Sequence, residues 1–206
     1  MTERYELDTS HFSRFLAHQK IIEYVGKNKR VLDIGCATGY LAKEFRKNGC
    51  HVLGIEMDEE AAKVAGQYCD DILVGDVEQI RRLPYPEGSF DIIVYADVLE
   101  HLKRPDLVLL RFKKYLSKSG QLIVSVPNIA YFTIRLKLLL GRFEYGEKGI
   151  LDTTHLRFFT LNSIKKMLYE CSYRITKIDY TGPAAVVKIL PRLLATQFVI
   201  VAHRQK

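Results

Sequence analysis

The sequence predicts an α/β protein built on a doubly wound, mostly parallel sheet with helices on both faces. Three observations carry this. Short apolar, β-branched runs recur along the chain, helix-like segments alternate with them, and the first run passes through a glycine-containing turn directly into a helix. Strands alternating with helices in this way need crossover connections, which place the helices over a parallel sheet. A chain of 206 residues fits one closed core. The expectation is therefore a single domain over 1–206, with an N-terminal helix at 9–25, a ligand-binding core at 30–127, an insertion at 128–160 and a closing helix and strands over 161–206.

The elements follow in order. From Thr9 to Val25, Phe12, Phe15, Leu16, Ile21 and Ile22 recur at helical spacing behind an Asp-Thr-Ser capping cluster, which predicts a helix across the sheet edge or the ligand cleft. Buried strands are predicted at Val31 to Ile34, His51 to Ile55, Asp71 to Val74, Asp91 to Ala96 and Gln121 to Val126. Helices are predicted at Tyr40 to Lys47, Glu59 to Gln67 and Pro105 to Leu116, the last opening on a proline suited to a first turn. After Val126 the rhythm changes. Pro127 ends the strand, a basic amphipathic segment runs from Tyr131 to Phe143, a loop continues to Thr154, and a helix covers Leu161 to Glu170. Tyr173 to Tyr180 and Gln197 to Ala202 are expected to pair as an antiparallel edge.

Composition narrows the function classes. An apolar share of 48% without repeats or low-complexity stretches excludes disorder and solenoids. The net charge of +7 favours anionic partners in general, but the lysines and arginines are scattered and no RNA-binding signature accompanies them, so a solvated basic surface is the reading and nucleic acid is not the expected partner. Cys36, Cys50, Cys69 and Cys171 lie far apart, which fits a reducing compartment. The opening residues lack the apolar core of a signal peptide and no stretch is long enough to span a bilayer, so the expected location is cytoplasmic.

The sharpest local signal is VLDIGCATGYLAKEF, a strand, a turn containing Gly35 and Gly39, and a helix. Small residues there let backbone approach a ligand. A dinucleotide fingerprint would place glycines at 35, 37 and 40, but the chain has Gly35, Ala37 and Tyr40, which disfavours a nicotinamide cofactor. Asp33 puts a carboxylate before the first glycine, where a pyrophosphate would be repelled and an ammonium attracted. Glu56, at the end of the second strand, is placed to accept both hydroxyls of a ribose, and Asp76 with the Val77 N–H is placed to pair with an adenine edge. Cys36, Ala37, Met57 and Ala96 complete the expected lining.

Taken jointly, D-x-G-x-x-x-G, the acid ending strand two, GDVE after strand three and FDIIVYADVLEHL at strand four resemble the class I S-adenosylmethionine-dependent methyltransferases. SVPN and LDTTHLRFFT are similar to small bacterial members related to the ubiquinone-biosynthesis O-methyltransferases, often linked to surface-sugar pathways. The resemblance covers Val31 to Thr160. It implies a seven-stranded sheet with the last strand antiparallel, S-adenosylmethionine as cofactor and S-adenosylhomocysteine as product. One position departs from the family pattern: Ala37 stands where a glycine is usual, so a small cofactor shift is expected.

Methyl transfer from a sulfonium draws its rate from alignment and a dry site, and needs a base only when the nucleophile arrives protonated. His101 is the first candidate base, with Glu100 beside it and His155 second; Tyr131 and Arg157 are candidates for holding the acceptor. Asp97, Glu100, His101 and His155 also resemble the divalent-metal set of related enzymes, which would let magnesium replace the base, although the first position there is normally Glu. Segment 131–143 reads as a lid, as an interfacial helix that touches a membrane surface transiently, or as a core-packing helix whose cations face water, and the last is the expected one. The acceptor is expected to be a small molecule, such as a sugar, a quinone precursor or a lipid-linked intermediate, methylated on oxygen or nitrogen. RNA methylation and a non-catalytic cofactor-binding module are the alternatives.

Overall fold

The structure, a computed structural model, describes residues 12–182, 187 and 189–205. The capping cluster expected before the first helix and its start at Thr9 lie outside these residues. Seven strands form one sheet: β1 (Arg30–Ile34), β2 (His51–Glu56), β3 (Asp71–Val74), β4 (Phe90–Ala96), β5 (Leu116–Pro127), β6 (Tyr173–Thr181) and β7 (Gln197–Arg204). Their order across the sheet is β3-β2-β1-β4-β5-β7-β6. β1 to β5 pair in parallel, and β7 runs antiparallel to both β5 and β6.

The chain thus winds outward in one direction through β3, returns, and leaves β1 and β4 as neighbours with crossovers on opposite faces. Strand order reverses at that pair, the place where open α/β sheets form their ligand crevice. Helices α1 (Phe12–Val25), α2 (Tyr40–Lys47) and α3 (Glu59–Ala65) cover one face, where Ile21, Phe45 and Ala65 pack on Val31, Ile92 and Val94. Helices α4 (Pro105–Phe112) and α6 (Leu161–Glu170) cover the other, where Leu109 and Ile164 pack with Leu32, Ile93 and Val124. Adjacent β1 residues Val31 and Leu32 serve opposite cores, as the two-residue period of a strand requires. α5 (Phe132–Leu139) and the one-turn α7 (Pro191–Leu194) complete the helices.

Local chemistry accounts for the boundaries. Asp58 caps α3 by accepting the Glu60 and Ala61 N–H groups, and Thr160 and Ser163 form a reciprocal capping box on α6. The expected helix from Pro105 to Leu116 ends earlier, at Phe112, and tightens into a 3₁₀ turn over Lys113–Tyr115; β5 begins at Leu116, five residues before the expected Gln121.

The last two strands pair as expected, but the final one is not the edge. β7 is buried on both faces along Gln197–Ala202, whereas β6 is buried only at its two ends, Tyr173 and Thr181. The reason is compositional: FVIVA is an unbroken apolar run that only an interior strand can bury, and YRITKIDY is suited to a rim. Ile200, fully buried between the two antiparallel neighbours, should therefore be costly to truncate. Ile200→Ala is expected to lower unfolding free energy by about 2–5 kcal/mol in urea titration, with an exposed β6 change such as Lys177→Ala within about 0.5 kcal/mol.

Candidate functional site

The crevice opens at the carboxyl ends of β1 to β4. Leaving β1, the chain folds back so that the Gly35 and Cys36 N–H groups both donate to the Ile55 carbonyl, at 2.8 and 3.1 Å. Gly35 has φ +69°, and a Cβ there would sit 2.6 Å from the Val98 side chain. Gly39, at φ +79°, starts α2, and a Cβ would come 2.9 Å from the Ala65 backbone, so α2 and α3 can approach only if this residue has no side chain. Ala37 takes the left-handed conformation too, with φ +50°. Its N–H donates to Glu56 Oε2 at 2.9 Å, which holds the alanine in a region that favours glycine.

Asp33 is 1% exposed, and its Oδ2 is buried without a hydrogen-bond partner. Burial first, and the neighbouring Glu56 charge second, push its carboxyl up to about 7. Glu56 is occupied differently from the sequence reading. Besides Ala37, it accepts the Met57 and Asp58 N–H groups on Oε1 at 2.8 and 2.9 Å. Its carboxylate therefore ties the glycine turn to the end of β2, with both oxygens engaged by backbone donors. Met57 projects beyond it and is 70% exposed. Asp76 caps the turn after β3 by accepting the Glu78 N–H at 2.8 Å, while Val77 is buried and its carbonyl takes the Arg111 guanidinium. A cleft of about 240 Å³ beside them is lined by Asp76, Gln79, Lys103 and Leu107. Cys36 is buried against Cys69, and the hydrogen bond between the thiols together with burial raises its pKa, so it packs rather than reacts. Ala96, half-buried, ends β4.

The acceptor side is built by two segments distant in sequence. Glu100 and His101 lie in a 3₁₀ turn, Leu99–His101, after β4. The loop carrying His155 docks on it: the Leu156 and Arg157 N–H groups both donate to the Glu100 carbonyl, at 2.8 and 2.9 Å. The two imidazoles meet edge to face, with centroids 4.8 Å apart. His101 Nδ1 lies 3.2 Å from both the Thr154 carbonyl and its hydroxyl oxygen, and His155 Nδ1 lies 3.0 Å from the Ile150 carbonyl. A carbonyl only accepts, so both neutral rings carry the proton on Nδ1 and a lone pair on Nε2. Burial and the adjacent His155 lower the pKa of His101, which keeps it neutral and basic at pH 7. The Glu100 side chain is 1% exposed, and donor atoms of Glu100, His101 and His155 all lie within 4.8 Å of one another.

Asp97, the fourth member of the sequence-derived metal set, stands outside this cluster. It leaves β4 with φ +56°, accepts the Ser125 hydroxyl at 2.6 Å and the Gln197 amide on Oδ1, and lies 3.9 Å from His18 Nε2. It is a junction between α1, β4, β5 and β7. Arg157 likewise has a structural task here: its Nε and Nη2 donate to the Lys103 carbonyl, at 3.2 and 2.5 Å. Tyr131 precedes α5, half-buried and edge to face with Phe132. The sequence reading missed Thr154, Asp152 and the Asp97 junction. A signal for the first two was present, since D-x-T is the pattern of an Asx turn, and Asp152 Oδ1 does accept the Thr154 N–H and hydroxyl, at 2.8 and 2.6 Å.

A seven-stranded sheet of this order, its one antiparallel strand set between β5 and β6, with an acid-lined crevice at the β1–β4 reversal, is the architecture of the class I methyltransferase fold. The chain belongs to the methyltransferase-domain family, whose model matches residues 10–178. It is 28% identical over 173 residues to the ubiquinone biosynthesis O-methyltransferase of Psychrobacter arcticus, an alignment covering 80% of this chain and 66% of that protein. Against the enzyme of the same name from Glaesserella parasuis, it is 34% identical over 62% of this chain and 56% of the relative. The chain thus spans less than two thirds of the length of these curated relatives. Among solved structures, an S-adenosylmethionine dependent methyltransferase from Mesorhizobium loti superposes with TM-score 0.68 at 17% identity, covering 93% of this chain and 98% of that one. The 1,6-didemethyltoxoflavin-N1-methyltransferase of Burkholderia thailandensis, solved with S-adenosylhomocysteine, superposes with TM-score 0.67 at 17% identity, covering 96% of this chain and 80% of that one. At these identities the superpositions establish the fold alone.

The Asp33 carboxyl has a measurable consequence in the ligand-free protein. Its folded pKa lies above the unfolded value, so the stability it allows is complete below about pH 4 and is lost as pH rises through about 7. Asp33→Asn is expected to remove that decline and to make the protein more stable at pH 8 by on the order of 2–4 kcal/mol, read as denaturation midpoints across pH.

Proposed function

We propose that the chain transfers a methyl group from S-adenosylmethionine to an oxygen or nitrogen of a small-molecule acceptor seated against Glu100, His101 and His155. The observation that carries the reading is the buried Asp33 carboxyl beside the Gly35–Gly39 turn. That combination fits a ligand with an ammonium group and a close backbone contact, which an amino-acid-bearing nucleoside supplies. The names of the relatives support oxygen as the methylated atom and a quinone precursor as one acceptor class; sugars and lipid-linked intermediates remain within the same chemistry.

When bound, the cofactor supplies an electrophilic methyl on a sulfonium, and an acceptor–carbon bond forms as the sulfur–carbon bond breaks. Asp33 provides the counter-charge for the ammonium. Glu56 Oε2, which holds the turn through the Ala37 N–H, would also take a ribose hydroxyl while Oε1 stays on the Met57 and Asp58 N–H groups, Asp76 and the Val77 N–H would meet the base, and Met57 would cover an apolar face. His101 Nε2 receives the acceptor's proton, because its Nδ1 is committed to Thr154 and its lowered pKa leaves the lone pair available. His155 sits edge-on and limits the ring's rotation.

One observation favours a second mode of activation. Three donor atoms of Glu100, His101 and His155 are gathered, and Nε2 is the free nitrogen on both rings, so a hard divalent cation such as magnesium would fit there and lower the acceptor hydroxyl's pKa. A purely regulatory module would have no use for these three groups held together.

Two experiments check the proposal. Asp33→Asn should weaken S-adenosylmethionine binding by more than about tenfold in calorimetry while the fold persists; unchanged affinity overturns the cofactor assignment. His101→Ala should lower turnover by about 10²–10⁴ at unchanged cofactor affinity, and the wild-type rate should fall on acidification with a midpoint below about 6.5. Full activity in that variant refutes the base, and activity that survives exhaustive chelation refutes the cation.

A further inference from the structure

α4 does more than cover one face of the sheet. Arg111, in its last turn, sends one guanidinium nitrogen into the turn that follows β3: Nη1 donates to the Val77, Glu78 and Ile80 carbonyls, at 3.3, 2.9 and 2.9 Å. At the opposite end of the same helix, the Glu78 carboxylate accepts the Lys103 and Arg104 N–H groups, at 3.2 and 2.8 Å. The turn over 76–80 is thus clamped by both ends of α4. These contacts lie beyond the parallel ladder, since β3 ends at Val74.

Peptide geometry shows what the clamp controls. In a trans peptide the carbonyl of one residue and the N–H of the next point in opposite directions. Arg111 holds the Val77 carbonyl, and the Glu78 N–H across the same plane donates to Asp76 Oδ1 at 2.8 Å. The neighbouring plane is set as firmly: the Asp76 carbonyl accepts the Gln79 and Ile80 N–H groups, at 2.9 and 3.1 Å, which turns the Val77 N–H the other way. Asp76 thus keeps Oδ2, and Val77 its N–H, on a turn whose orientation runs back to one cation. Three carbonyl oxygens aimed at one nitrogen set their dipoles against each other, and a charged donor offsets that repulsion better than a neutral one. Arg111 is half-buried, so water screens these bonds only in part, and it lines the same cleft as Asp76.

We infer that Arg111 is a positioning residue for the purine: by holding the 76–80 turn it aims Asp76 and the Val77 N–H, and so sets how well the site tells an amino-substituted purine from an oxo-substituted one. The inference rests on the methyl-transfer proposal. Adenine offers an exocyclic amine that donates to a carboxylate and an N1 that accepts from an N–H. Hypoxanthine offers an oxo acceptor and an N1 proton, the reverse of what this turn presents. A site built to hydrogen-bond a group rejects an analogue that lacks it, because its own polar atoms are left unpaired.

The test is calorimetry of the full chain with S-adenosylhomocysteine and with S-inosylhomocysteine. The wild type should bind the first more tightly by at least about thirtyfold. Arg111→Met keeps the aliphatic stem without the charge, and should weaken S-adenosylhomocysteine by about tenfold or more while the inosine analogue changes by less than about threefold. Arg111→Lys, whose ammonium has one proton for each carbonyl, should keep the wild-type ratio within about threefold. Should Arg111→Met fail to fold, Arg111→Gln, neutral and shorter, carries the same expectation. Unchanged S-adenosylhomocysteine affinity in the neutral variant overturns the inference. So does an equal weakening of both ligands, which a general loosening of the fold would give. Wild-type protein that binds both ligands alike removes the base from this turn and the inference with it. Wild-type protein that binds neither defeats the methyl-transfer proposal as well, whereas the inference fails alone when the wild type discriminates and the neutral variant does so equally.

Discussion

The carboxylate of Glu56 holds together what the crevice needs. A parallel sheet ends in unpaired backbone groups, and the turn after β1 has to fold back on itself with three left-handed residues in five: Gly35, Ala37 and Gly39. Three N–H groups converge on one buried acid, and this fixes the turn, the end of β2 and the start of α3 relative to one another. Charge-assisted bonds of this kind are stronger than neutral ones and tolerate little rearrangement. Asp33, one strand away, keeps its Oδ2 buried without a partner, and burial raises its pKa. Of two neighbouring carboxylates, one is taken up by backbone donors and the other bears the cost of its burial.

The acceptor half obeys a different logic. There the chain uses backbone carbonyls rather than acids to orient its reactive groups: Thr154 and Ile150 set the tautomers of two imidazoles, and the Glu100 carbonyl anchors the loop that carries the second of them. Carbonyl partners fix orientation without adding charge, so His101 feels chiefly burial and its neighbour, and its pKa moves down. A carboxylate partner would have moved it up and made it a poorer base at neutral pH.

Much of this was legible in the sequence because it is periodic or local. The strands were visible as β-branched runs, α2 and α6 were visible to the residue, and the order of acids after successive strands marked the crevice. The misplaced features share a physical cause: each depends on partners far along the chain. Nothing local in DVLEH says that Asp97 turns toward Ser125 and Gln197 rather than toward His101. Nothing in THLRFF says that Arg157 is taken by the Lys103 carbonyl. α5, expected to pack on the core, buries Ile134 alone; the origin is the same, since a helical pattern gives the angle between residues and leaves open which side meets the core. Glu56 is the subtler case: its position was read correctly, but backbone groups of its own turn claimed most of its acceptor capacity.

The junction at Asp97 has a bearing on how the protein is made. Its amide partner, Gln197, arrives on the last strand, which pairs with β5 and gives β6 its one neighbour in the sheet. The five parallel strands pair among themselves within the first 127 residues. The Asp97 junction waits for the final strand, a long-range pairing of the kind that folds slowly. A chain that lacked its last strand would keep the β3-β2-β1-β4-β5 ladder and lose both the Gln197 bond to Asp97 and the seat of β6.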